Sequence, residues 1–196
     1  MKRKLIITAI LISLAGCLPS LHPLYTKDTT IFDPNLLGTW KDKDNFWKFE
    51  KKPSENIYKL STLIENEESE FAVHLVTIDD KFFFDFFPEE PDMNENAFYK
   101  VHLVPAHTFA RVYQTDPNLI FGFMNPEDVG KMLKADPDLL QHELLEDGDR
   151  IVLTASTQEL QKFVAKYADD PNVFEPGESL TRVIDTNEPN QPDPNN

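Results

Sequence analysis

The chain has 196 residues, with 34 Asp and Glu against 19 Lys and Arg, for a formal charge of −15. A surface that acidic repels phosphate backbones and anionic headgroups, which argues against nucleic acid as a partner and reads first as solubility. Fifteen Phe, five Tyr and two Trp supply a globular core, and a single cysteine leaves no disulfide to hold it.

At the N-terminus, Lys2, Arg3 and Lys4 precede the apolar run Leu5 to Leu14, and small residues follow. Basic, apolar and small in that order is the build of an export signal, too short to stay as a membrane span. The stretch Leu14-Ala15-Gly16-Cys17 resembles the lipobox of bacterial lipoproteins. That resemblance implies removal of residues 1–16 as a signal peptide, acylation of Cys17 and a membrane as partner through the anchor. Losing three basic residues takes the formal charge from −15 to −18. Leu18, rather than Asp, follows Cys17, which by the same resemblance implies an outer-membrane, periplasm-facing site if the source is Gram-negative.

Residues 17–35 read as a lipidated tether broken by Pro19, Pro23 and Pro34, with Leu21, Leu24 and Tyr25 disposed to lie along the domain. The domain itself, 36–184, begins at Leu36-Leu37-Gly38-Thr39-Trp40. Period-2 alternation then predicts strands. Trp47 and Phe49 share a face, as do Tyr58 and Leu60. Phe71, Val73 and Leu75 oppose Ala72, His74, Val76 and Ile78. Asp79-Asp80 predicts a tight hairpin into Lys81–Phe87. Further strands are expected at Phe98–Val104, Thr108–Gln114 and Leu119–Met124. A meander of seven or eight strands is expected to curl or close, because an open sheet that long leaves edges.

Asn125-Pro126-Glu127-Asp128 then signals a helix start, and Asp136-Pro137-Asp138 a second short helix carrying Leu139, Leu140 and Leu144. Asp147-Gly148 turns into a strand at Ile151–Thr154. Ser156-Thr157-Gln158-Glu159 fits a capping box, followed by Leu160, Phe163, Val164 and Tyr167 at helical spacing. Leu180–Ile184 closes the domain as a last strand. Residues 185–196, with no apolar side chain and three prolines, read as a disordered tail. The class is mainly β with α+β character: an antiparallel meander forming a barrel or half-barrel, with two or three short helices in the C-terminal half.

Gly38-Thr39-Trp40 near the start of the meander resembles the Gly-x-Trp signature of lipocalins and related ligand-binding barrels. The resemblance implies that Trp40 plugs one barrel end under the guanidinium of Arg182. The helix order departs from that family, whose helix follows the last strand. Pro-Ser-Leu-His-Pro-Leu-Tyr followed by Leu-Gly-Thr-Trp is also similar to a group of uncharacterised bacterial lipoproteins, which implies the envelope and no activity.

Catalytic signatures do not emerge. His22, His74, His102, His107 and His142 form no His-x-x-x-His pair, and no nucleophile elbow or phosphate loop appears. No catalytic residue, metal or cofactor is expected. The unusual segment is Phe82-Phe83-Phe84-Asp85-Phe86-Phe87, which is apolar on both faces. Phe82, Phe84 and Phe86 are the candidate face for an apolar ligand, and the opposite face calls for a covering helix, Leu160–Tyr167. The expected function is a non-enzymatic, lipid-anchored module that binds an apolar small molecule. The alternative is an assembly lipoprotein that binds another envelope protein, with a filled core and an exposed apolar patch.

Overall fold

The computed structural model describes residues 17–53, 56–90, 93–145 and 150–184. The signal segment 1–16, the Asp147-Gly148 turn and the tail 185–196 lie outside them.

Eleven strands are described. A short β1 (Thr30–Ile31) precedes a 3-10 turn (Pro34–Leu36) and a continuous antiparallel meander. The meander comprises β2 (Gly38–Asp42), β3 (Asn45–Lys51), β4 (Ile57–Ile64), β5 (Glu67–Ile78), β6 (Lys81–Pro88), β7 (Thr108–Gln114) and β8 (Asn118–Phe123). Two of its hairpins turn on residue pairs held at positive φ, Glu65-Asn66 (52° and 66°) and Asp79-Asp80 (48° and 60°). That backbone matches the twist of the flanking strands and suits Asn and Asp.

After β8 the chain leaves the sheet for α2 (Pro126–Ala135), the hairpin β9 (His142–Leu145) and β10 (Arg150–Leu153), and α3 (Thr157–Tyr167). A shorter helix, α1 (Ala97–Lys100), lies earlier, in the β6–β7 connection. The chain returns as β11 (Leu180–Arg182), which pairs with β8 on one edge and β2 on the other. The result is a closed eight-stranded antiparallel barrel, β2 to β8 plus β11. β1 extends the β4 side of β5, pairing at Leu75 and Val76 where β4 has ended.

Eight strands enclose a lumen about wide enough for side chains to fill, and here they fill it. Trp40, Phe49, Tyr58 and Phe84 are fully buried together with Leu60, Val73, Leu75 and Leu119. The Phe84 ring sits 5.5 to 5.8 Å from those of Phe49, Phe86 and Phe121. A second core lies outside the barrel, where α2, α3 and the segment from Leu18 to Tyr25 cover Val76, Phe83 and Phe109. Phe83 thus shares this core with Leu160, Phe163 and Val164 of α3, the helix whose capping box is formed by Ser156 and Glu159, and its ring lies 5.8 Å from that of Phe174.

Two expected elements differ. Phe98–Val104 is not a strand: the Asn96 side chain accepts from the Tyr99 amide at 3.0 Å and starts α1, and a turn follows. Alternation there reflects exposure on every side, not a buried face. Asp136-Pro137-Asp138 starts no second helix. The chain makes a turn and then β9, whose residues pair with β10 from His142↔Leu153 to Leu145↔Arg150. The tether also proves to be part of the body, since Leu18 and Leu24 are buried in the outer core.

The return to β11 runs close over β8. A Cβ on Gly122 would lie 1.8 Å from the Glu175 carbonyl oxygen, and Gly177 donates its amide to Phe121 O at 3.0 Å. Gly122→Ala is therefore expected to destabilise by about 3 kcal/mol or more, because backbone must move. Gly130→Ala, facing only the flexible tip of Ile151 at 3.0 Å, should stay within about 1 kcal/mol, since alanine favours a helix. Urea midpoints of the two variants check this.

Candidate functional site

One barrel end is closed by the residues flanking β2. Trp40 is buried and donates its indole N–H to Leu36 O at 2.9 Å, which holds the 3-10 turn across the opening. The Arg182 guanidinium lies 4.1 Å from the Trp40 ring centre and donates to the carbonyls of Leu37 (2.6 Å) and Asn35. Gly38 makes room for it: φ is +111°, and a Cβ would sit 3.0 Å from Arg182 Nη1. Three residues far apart in chemistry are thus one device. A flat cation needs a flat ring, carbonyls at its edge and a neighbour without a side chain.

The same end is locked by Tyr58, whose hydroxyl donates to Asp33 O (3.0 Å) and accepts from Asp33 N (2.7 Å). Thr115 donates to the Asp33 carboxylate at 2.9 Å. Burial is the main reason that the Tyr58 phenol is pushed up to about 12; the charge of Asp33 adds to it and the backbone hydrogen bond opposes it.

A buried polar cluster fastens the N-terminal segment. Asp85, fully buried on the outer face of β6, accepts from the Leu24 amide at 2.6 Å and from His107 Nδ1 at 2.7 Å. Ser20 and His107 exchange backbone hydrogen bonds, both at 2.8 Å, and Pro19 and Leu21 bond Leu153 on the opposite edge. Thr157 and Gln161 of α3 donate to the carbonyls of Pro23 and Leu24, each at 2.8 Å. Ser20, His107 and Asp85 are the residue types of a nucleophilic triad, but Ser20 is fully buried and its hydroxyl donates to His22 O at 2.8 Å. The cluster is a clamp on the tether. Its members are scattered along the sequence, so only the coincidence of a lone Asp in an apolar strand hinted at it.

The opposite end is bounded by aromatic side chains that are only partly covered, Trp47, Phe71 and Phe123, above the buried Phe86 and Phe121. Here β6 and β7 are joined not by a hairpin but by the long connection that contains α1. Between this connection and the end of β6 lies a groove of about 600 Å3, lined by Phe87, Pro88, Glu89, Glu90, Met93, Lys100, His102, Leu103, Val104 and Pro105. Beside it Phe98 is 79 % exposed and Val101 72 %. A second depression, about 360 Å3, lies on the outer strand face and is lined largely by polar groups, among them Lys48, Ser61, Glu68 and Glu70.

Gly38, Trp40 and Arg182 are brought together. Phe84 and Phe86 lie in the lumen, packed on other rings, whereas Phe82 sits at the rim of the closed end, 42 % exposed. Cys17 is exposed, one residue before buried Leu18. The groove was missed because its lining was read as a strand and a polar loop. Among the described residues no three His, Cys, Asp or Glu side chains gather as a metal would need, and no helix is long and apolar enough to cross a membrane.

Arg182→Ala is expected to cost about 2–3 kcal/mol, from two hydrogen bonds to a charged group and a stacked cation. Arg182→Lys should recover little of it, since an ammonium cannot span both carbonyls; denaturant unfolding checks both. The Tyr58 shift sets a pH dependence. The folded-state value lies above the unfolded one of about 10, so neutral Tyr58 stabilises the fold below pH about 10. That stability is lost as pH rises towards about 12. The unfolding midpoint of wild type should fall more steeply across this window than that of Tyr58→Phe.

Compared with protein-family models, curated proteins and solved structures, the chain matches none.

Proposed function

We propose that this chain is a lipid-anchored cell-envelope protein with a lipocalin-like body, that its role is binding without catalysis, and that it takes an apolar ligand. The anchor is assigned to Cys17, on its lipobox and its exposed position, and the envelope address follows from the anchor. The ligand site is assigned to the groove at the β6–β7 connection and not to the lumen. One observation carries this: the lumen is packed with rings, while a groove of about 600 Å3 lies outside it between Phe87-Pro88 and Leu103-Val104-Pro105. That volume is within the range of small-molecule sites, about 300–1,000 Å3, and the lining combines six apolar residues with Glu89, Glu90, Lys100 and His102. The Phe84 and Phe86 rings then serve as lumen filling rather than as the ligand face.

The second reading, an assembly protein that binds another envelope protein, is favoured by one feature. Phe98 and Val101 are strongly exposed without lining the groove.

The chain from residue 17 onward, as the Cys17→Ser variant, retains every described residue but Cys17 and suits a dye-binding titration. An apolar dye such as N-phenylnaphthylamine should gain fluorescence with this protein. Val104→Glu, at a position already 72 % exposed and so of small cost to folding, should abolish the gain. Absence of dye uptake, or equal uptake by Val104→Glu, would move the assignment to the assembly reading.

A further inference from the structure

We propose that the groove at the β6–β7 connection selects small apolar molecules that carry one anionic group, and that Lys100 holds that group. The proposal rests on the groove reading above and adds the charge of the ligand and the residue that recognises it.

Exposure gives the first argument. From Asn94 to Pro105 every residue is exposed except Lys100. A helical turn on a protein surface ordinarily directs its apolar side chains inward and its cations outward. This one does the reverse. Phe98 and Val101 are 79 % and 72 % exposed, while Lys100 is half-buried and lines the groove with Phe87, Pro88, Met93 and Leu103. A lysine stem lies readily along an apolar wall and leaves its ammonium at the water boundary. There it can meet the polar end of a molecule whose body fills the groove.

Pairing gives the second. With 34 acidic residues against 19 basic ones, a lysine on this surface readily finds a carboxylate, as Lys52, Lys59 and Lys81 do. Lys100 makes no ion pair with any described carboxylate. The segment 96 to 105 contributes no acid of its own. Across the groove, Glu89 is ion-paired with Lys52 and Glu90 is exposed. His102 is engaged with α1, its Nδ1 2.8 Å from Phe98 O and its ring edge-on to that of Phe98. The half-buried cation of the groove is therefore Lys100 alone among the described residues.

Charge then decides the sign of the ligand. A chain at −15 draws cations to its whole surface, so a site for an apolar cation would need only bare apolar walls. An unpaired ammonium on such a wall repels a cation at that point and attracts an anion. The walls supply the remaining affinity and the polar group the orientation. A carboxylate, sulfonate or phosphate ester on an aromatic or short alkyl body satisfies both.

The test uses two dyes with one ring skeleton, neutral N-phenylnaphthylamine and its sulfonated counterpart 1-anilinonaphthalene-8-sulfonate, titrated into the Cys17→Ser chain used above. Lys100→Gln should lower the ratio of sulfonate to neutral-dye affinity by about fivefold, the upper end for a partly exposed ion pair. Lys100→Arg, which keeps the charge, should restore the ratio. In competition, octanoate should displace the neutral dye from the parent chain at lower concentration than octylamine, and Lys100→Gln should remove that order. A ratio unmoved by Lys100→Gln, or octylamine displacing the dye better than octanoate, would overturn the proposal and leave the groove reading standing. Sulfonate binding undiminished by Val104→Glu would place that dye outside the groove and overturn it too. Uptake of neither dye would sink the groove reading and this proposal together.

Discussion

The structure depends on β6 having to be covered on both faces. Strand residues alternate in direction, and in this strand neither direction is polar. Phe84 and Phe86 face one way; Phe83 and Phe87, with Asp85 between them, face the other. Closing the sheet into a barrel buries the first set. Phe83 and Asp85 need another layer, and α3, α2 and the N-terminal segment supply it, while Phe87 packs on His107 and lines the groove. Asp85 then determines how the layer is fitted. A carboxylate buried beside Phe83 costs several kcal/mol unless it is paired and hydrogen-bonded. The partners it finds, the Leu24 amide and His107, draw the tether onto the barrel. One buried carboxylate thereby makes the N-terminal segment part of the fold.

Closure depends on the last strand. The meander from β2 to β8 is local in sequence, but its two edges meet only through β11, three residues long and more than fifty residues downstream of β8. So short a strand has few ladder bonds. The guanidinium of Arg182 compensates by bonding Leu37 and Asn35 and stacking on Trp40, while Gly122 and Gly177 let the approaching backbone come close. Sealing the barrel and capping its end are thus performed by the same side chain. Because the seal is aromatic and the lumen narrow, the interior has been given over to packing. Any apolar ligand must be bound elsewhere, which is why the groove at the other end carries the functional argument.

What the sequence made legible was local. Asp79-Asp80 predicts its hairpin because short polar residues tolerate positive φ. Asn125-Pro126 and Ser156 to Glu159 predict helix starts because the capping atoms are within three residues of the amides they serve. The Gly38, Trp40 and Arg182 set was read through a resemblance, and its physical reason, that a Cβ at 38 would crowd the guanidinium, needs coordinates. Two errors differ in cause. The helix after Asp136 was expected from an Asp-Pro start signal, which serves a turn as well as a helix, and a turn is what forms. Phe98–Val104 was expected from its apolar pattern, yet in α1 and its turn those residues are exposed. Pattern reading assumes that apolar residues are buried, and fails where they serve a surface. The Asp85 cluster was illegible for a different reason: Leu24, Asp85 and His107 are separated by 61 and 22 residues, and no local signal links them.

The acidity of the chain and its proposed place at a membrane constrain one another. A uniformly acidic body on a short anchor would press negative charge against anionic lipid, at a cost that grows as water is excluded. A flexible linker would relieve this by distance, within a Debye length or two of the headgroups. This chain has no linker to lengthen, because Leu18 is already in the core. The clamp at Asp85 keeps it that way: the bonds that Asp85 makes with Leu24 and His107 hold the N-terminal segment on the barrel, so Cys17 stays close to the body it would anchor.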